Sequence, residues 1–117
     1  MSILAALALA VEAQFAIHDI RWAPQRFAVA VDQAPALTEG GTPVVPVGTR
    51  VTIRALSPGE RFTVFVVSPG AMTEHEVRGS WEGTLDRPGG YRVQFGAEDR
   101  AEPLSQMDLV VSPGTSP

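Results

Sequence analysis

The chain has 117 residues, no cysteine, and a formal charge of −4 from nine basic and 13 acidic side chains. That length implies a single core large enough to stand without disulfides, and the missing cysteine excludes both a disulfide framework and a thiolate metal site. The charges are interspersed, which excludes a nucleic-acid footprint and a polybasic membrane patch.

Every basic residue is arginine, and lysine and asparagine are both absent. This is the composition of a GC-rich coding sequence, not a sign of selected guanidinium chemistry. Without asparagine there is no N-glycosylation sequon.

Residues 2–15 read SILAALALAVEAQF. Alanine and leucine are strong helix formers, no glycine or proline interrupts them, and Ser2 can cap the start. The spacing predicts a short apolar helix over residues 1–13. Its apolar run, from Ile3 to Val11, is too short to span a bilayer, which needs about 20 residues. A secretory signal is the rival reading, with cleavage after the small residues around Ala10 or Ala13, but the stretch before the run carries no Lys or Arg. Ile3, Leu4, Leu7, Leu9 and Val11 cover more than one helix face. A small domain cannot bury them all, so partner subunits are expected to cover them.

Residues 14–22 fit either more helix or a strand, ending before Pro24. Phe27, Val29 and Val31 then alternate with smaller or polar residues, which predicts a strand. Residues 34–48 hold three prolines and a Gly-Gly pair, which predicts a loop and then an irregular edge strand near residues 42–47.

From Thr49 onward, short alternating runs are separated by Pro-Gly, Gly-Ser and Pro-Gly-Gly, the spacing of a β-sandwich. Val51 and Ile53 face one way and Arg50, Thr52 and Arg54 the other. Residues 62–67 are apolar on both faces: Phe62, Val64 and Val66 on one, Phe65 and Val67 on the other. Such a strand is covered twice or forms a contact surface. Residues 74–85 carry Val77, Trp81 and Leu85 on one face, with Gly79-Ser80 as a bulge or as a turn that splits the run into two strands. Tyr91, Val93 and Phe95 form the next row, and Met107, Leu109 and Val111 the last. The expected core is Val51, Ile53, Phe62, Val64, Val77, Trp81, Tyr91, Val93, Phe95, Leu109 and Val111. The organisation expected is an N-terminal helix with the first strand or strands over residues 1–33, a β-sandwich over 34–112 and a polar tail over 113–117.

No catalytic constellation emerges. His18 and His75 are the only histidines and are far apart. Alternation sends His75 away from Glu74 and Glu76, so the three read as a strand surface. Glu98, Asp99 and Glu102, with Asp86, are acidic but lack calcium-loop spacing. Ser80 sits in Gly-Ser-Trp-Glu-Gly, without the flanking glycines of a nucleophile elbow. Trp81 is in phase with the core, and Trp22 is the better surface aromatic. Neither enzyme activity nor a cofactor or metal is expected.

The run Pro88-Gly89-Gly90-Tyr91-Arg92-Val93-Gln94-Phe95 resembles the E–F corner and F strand of immunoglobulin-like domains, where a tyrosine bonds back to the backbone. The resemblance covers roughly the last two-thirds of the chain and is closest to bacterial and phage modules. It implies strand B at 51–56, C at 62–67, E ending near Leu85, F at 91–95 and G at 107–111. The Cys…Trp…Cys signature of antibody domains is absent. The fold expected is therefore all-β: an antiparallel immunoglobulin-like β-sandwich with a short N-terminal apolar helix.

The function expected is that of a non-enzymatic structural subunit, such as a bacteriophage virion accessory protein in capsid decoration, neck or tail. It would be assembled in the host cytoplasm and held by protein subunits of the same particle, without nucleic acid or a membrane span. The expected partner contacts are Ile3, Leu4, Leu7, Leu9, Val11, Trp22, Phe65 and Val67. The alternative is an exported bacterial immunoglobulin-like module that binds carbohydrate or a surface protein, at the cell surface or secreted.

Overall fold

The computed structural model describes residues 14–17, 26–37, 40–97 and 104–113. The helix expected over residues 1–13 lies outside the described residues, as does Trp22. The described chain is all β. Its strands are β1 (Phe15–Ala16), β2 (Phe27–Val31), β3 (Ala36–Leu37), β4 (Pro43–Pro46), β5 (Thr49–Ala55), β6 (Arg61–Ser68), β7 (Ala71–Arg78), β8 (Ser80–Leu85), β9 (Gly89–Ala97) and β10 (Ser105–Ser112). They form a four-stranded sheet in the order β1-β2-β5-β8 and a six-stranded sheet in the order β3-β4-β10-β9-β6-β7.

Period-two alternation accounts for the strands. In β5, Thr49, Val51, Ile53 and Ala55 are buried while Arg50 and Arg54 are exposed. In β10, Ser105, Met107, Leu109 and Val111 are buried between half-exposed neighbours. One face of each strand leaves water and the other keeps it.

Two expectations need correction. The residues near 42–47 do not form a free edge: β4 lies between β3 and β10, and Val45 is fully buried. Its two prolines sit at the strand ends, so Val44 and Val45 keep their N–H groups for the ladder. The sheets are also not wholly antiparallel, because β4 runs parallel to β10. Of the two readings of Gly79-Ser80, the split into two strands is the one found: residues 74–85 belong to β7 and β8, in different sheets, with only Gly79 between them.

Gly79 has φ +82°, a left-handed conformation open to glycine. Its N–H donates to the Glu60 carbonyl at 2.8 Å, and its carbonyl accepts from the Ala55 N–H at 2.8 Å. Glu60 leads into β6 of one sheet, and Ala55 ends β5 of the other. One residue therefore ties the two sheets together at this corner.

A single apolar cluster fills the space between the sheets. Phe27, from the four-stranded sheet, meets Phe62 and Phe95 of the six-stranded sheet edge-on, at ring-centroid distances of 5.1 and 5.3 Å. Such pairs contribute about 0.5–1.5 kcal/mol beyond their buried area. Nine of the eleven expected core residues are buried. Val77 and Trp81 are only half-buried, because they stand on β7 and β8, which end their sheets on the same open flank. The Trp81 ring lies across Gly83, where a Cβ would collide with it. Ile17, Phe27, Val29, Val31, Val45, Ala55, Leu85 and Met107 complete the core.

Tyr91 is buried, and its hydroxyl accepts a hydrogen bond from the Arg87 backbone N–H at 3.1 Å. The bond fastens the turn before β9 to the strand itself. Asp86 and Arg87 are exposed, so water can replace part of what the hydroxyl supplies.

Tyr91→Phe is expected to lower the unfolding free energy by about 0.5–1.5 kcal/mol, read by urea denaturation. A Cβ on Gly79 would meet no atom within 4 Å. Gly79→Ala should therefore cost only the left-handed backbone penalty, about 1–2 kcal/mol in the same measurement. A loss far outside that range would show that the corner is held by something other than its φ.

Candidate functional site

The two outward faces differ in chemistry. On the four-stranded sheet the outward row is polar or small: Arg50, Thr52 and Arg54 on β5, Ser80, Glu82 and Thr84 on β8, and Ala28 and Ala30 on β2. On the six-stranded sheet, Phe65 and Val67 of β6 point outward, as their alternation with buried Phe62 and Val64 requires. Phe65 is half-buried and Val67 is 36% exposed.

The register shows what surrounds them. Val67 stands between Met72 of β7 and Arg92 of β9, and Phe65 between Glu74 and Gln94. Met72 is 67% exposed. Beyond this apolar group runs a polar ladder between β9 and β10. Arg92 Nε donates to Asp108 Oδ1 at 3.0 Å, and Gln94 Nε2 donates to Gln106 Oε1 at 3.2 Å. A shallow depression of about 480 Å³ lies here, lined by Thr42, Val67, Arg92, Gln94, Asp108 and Val110 among others. Among the described residues its lining holds no nucleophile–base pair.

Of the residues expected to contact a partner, the structure therefore brings together Phe65 and Val67. Ile3, Leu4, Leu7, Leu9, Val11 and Trp22 lie outside the described residues. Met72 was missed by the sequence reading. It precedes the charged run of β7 after a Pro-Gly turn, and only the register to Val67 places it on this face.

His75 faces inward, opposite Val64, while Glu74 and Glu76 are exposed on the other side. Its Nε2 lies 3.1 Å from Thr73 Oγ1, and its ring is 5.5 Å from that of Trp81 at a 42° tilt. The histidine thus helps close the open flank between β7 and β8. Ser80 is exposed and paired with Arg54. His18, Glu98, Asp99 and Glu102 lie outside the described residues. Among the described residues no group of three or more His, Cys, Asp or Glu could hold a metal ion, and no helix is long and apolar enough to cross a membrane.

The clearest electrostatic feature is Asp32, just after β2. Burial works to raise the pKa of its carboxyl group. Hydrogen bonds from the Arg50 backbone N–H at 2.8 Å and from Arg50 Nε at 3.0 Å outweigh that and hold it below the ordinary aspartate value. The Arg50 side chain is 45% exposed, so solvent screens the ion pair and the backbone bond contributes more.

A lowered carboxylate pKa stabilises the fold above the unfolded-state value, and that stability is lost as pH falls through the folded-state value. Asp32→Asn should cost about 0.5–1.5 kcal/mol at neutral pH. The gap to the parent should close in strong acid, as followed by denaturant melts at both conditions. A gap that stays constant with pH would assign the effect to packing.

Known proteins add no family assignment: no family model, no curated protein and no solved structure matches this chain.

Proposed function

We propose that this protein is a non-enzymatic structural subunit of a larger protein assembly, built on an immunoglobulin-like β-sandwich. A bacteriophage virion accessory protein, in capsid decoration, neck or tail, is the class it fits best. The observation that carries the reading is the apolar content of residues 1–13, which covers more than one face of a helix. Residues 1–13 hold Ile3, Leu4, Leu7, Leu9 and Val11. Burying each such side chain contributes roughly 1.5–3 kcal/mol, enough together to drive association. Exposed Val67 and Met72, beside half-buried Phe65, would supply a second apolar contact on the six-stranded sheet. What supports the immunoglobulin-like reading is the strand order, in which β5, β6, β8, β9 and β10 would correspond to strands B, C, E, F and G, together with the bond from the Arg87 N–H to the Tyr91 hydroxyl.

A second reading is an exported immunoglobulin-like binding module for a carbohydrate or a surface protein. It is favoured by the depression beside the Arg92–Asp108 and Gln94–Gln106 ladder, which offers donors and acceptors next to an apolar rim. A native chain found by N-terminal sequencing to begin at Val11 or Gln14 would select this second reading.

The assembly reading is tested by deleting residues 1–13. The truncated chain should keep a cooperative unfolding transition yet sediment as a smaller species than the full chain at equal concentration. A truncated chain that fails to fold would place the segment in its own core. Equal sedimentation of the two would remove the segment as an assembly contact.

A further inference from the structure

The four sheet edges are unequal. β1 and β3 are two residues long, too short to template another strand, and β8 presents Ser80, Glu82 and Thr84, a row of one charge sign. β7 is eight residues long and, among the described residues, pairs only with β6. Its bonding phase follows from Gly79, whose N–H donates to the Glu60 carbonyl. Counting in twos along this uninterrupted antiparallel ladder turns the N–H and C=O groups of Val77 and His75 toward β6. Those of Met72, Glu74, Glu76 and Arg78 therefore face the open edge, and their side chains all lie on the outer face.

The charges along that edge are unbalanced within the chain. Arg78 stands directly opposite Arg61 of β6, a like-charge rung that destabilises the sheet. Glu76 stands opposite the uncharged Thr63. Among the described residues Arg61, Glu76 and Arg78 form no ion pair. All three are exposed.

We infer that β7 is a docking edge for a second copy of this chain, joined antiparallel about a two-fold axis at Val77. That register sets Glu76 opposite the partner's Arg78 and Arg78 opposite the partner's Glu76. It completes four backbone hydrogen bonds through the free groups of those residues and brings half-buried Val77 against its own copy. This is the one register that pairs opposite charges without a like-charge rung. An axis at His75 opposes Glu74 to Glu76, axes at Glu74 or Arg78 oppose a charge to itself, an axis at Glu76 sets Glu74 opposite Arg78 but Glu76 opposite itself, and axes at Thr73 or Met72 bring no opposite charges together. Acidic residues on an edge strand ordinarily repel a second strand. Here the sign changes between Glu76 and Arg78, so the row is complementary to its own reverse. The inference does not depend on residues 1–13 or on the assembly proposed above.

The test uses the full chain and reads two quantities, the sedimentation-derived dimer constant and the hydrogen exchange of the Glu76 and Arg78 amides. Both amides should gain protection as concentration rises. Arg78→Glu should weaken dimerisation roughly tenfold or more, because both cross-copy pairs turn from attractive to repulsive. The same change makes the Arg61 rung an opposite-charge pair, so the variant's melting temperature should hold or rise, which rules out misfolding as the cause. The double variant Glu76→Arg, Arg78→Glu restores both pairs in reverse and should recover dimerisation and amide protection. Glu76 and Arg78 amides that exchange at the same rate at every concentration would overturn the inference. So would an Arg78→Glu variant that dimerises like the parent, or a double variant that stays as weak as the single one.

Discussion

The left-handed backbone at Gly79 is the constraint on which the two-sheet arrangement turns. A strand that leaves one sheet and starts the other within one residue must reverse its hydrogen-bonding partners at once. Gly79 does so by donating to Glu60 on the β6 side and accepting from Ala55 on the β5 side. No side chain crowds the site, so the requirement is one of backbone conformation alone. The consequence is that β7 and β8 become the terminal strands of their sheets on the same flank.

That flank explains much of what is unusual in the burial pattern. Val77 and Trp81 are in phase with the core but, among the described residues, have no strand beyond them, so they stay half-buried. His75 and Trp81 lean together across the gap. The opposite arrangement holds around Phe27, Phe62 and Phe95, where both sheets contribute aromatic rings and close water out. The core is therefore tightest along β2, β6 and β9 and loosest where the chain changes sheets.

The chemistry of the surface follows from the same layout. The outward face of the four-stranded sheet carries arginine, threonine, serine and glutamate and is content in water. The six-stranded sheet sets Phe65, Val67 and Met72 beside an arginine–aspartate and glutamine–glutamine ladder. An apolar group with a polar border is the ordinary composition of a protein contact, which is why the proposed partner surface is drawn there. The open edge of β7 adjoins it, and a sheet continued across that edge would extend the same outward face.

Local alternation was enough to read which side of each strand goes inward. Val51 with Ile53, Tyr91 with Val93 and Phe95, and Leu109 with Val111 are buried as their spacing requires. The tyrosine bond before β9 was legible too, because it links residues only four apart. Phe65 and Val67 stood out as outward apolar residues for the same reason of phase. Neighbours were not legible. Backbone ladders carry no side-chain label, so the sequence could not say that β4 would run parallel to β10, that two prolines would flank a strand with neighbours on both sides, or that residues 74–85 would part into two sheets. Nor could it set Arg78 opposite Arg61, since that rung depends on how the Pro69-Gly70 turn registers β6 against β7. Side-chain period determined which way each residue faces. Only the three-dimensional pairing of strands decided what it faces, because that is a matter of long-range hydrogen bonding and of one glycine's backbone angle.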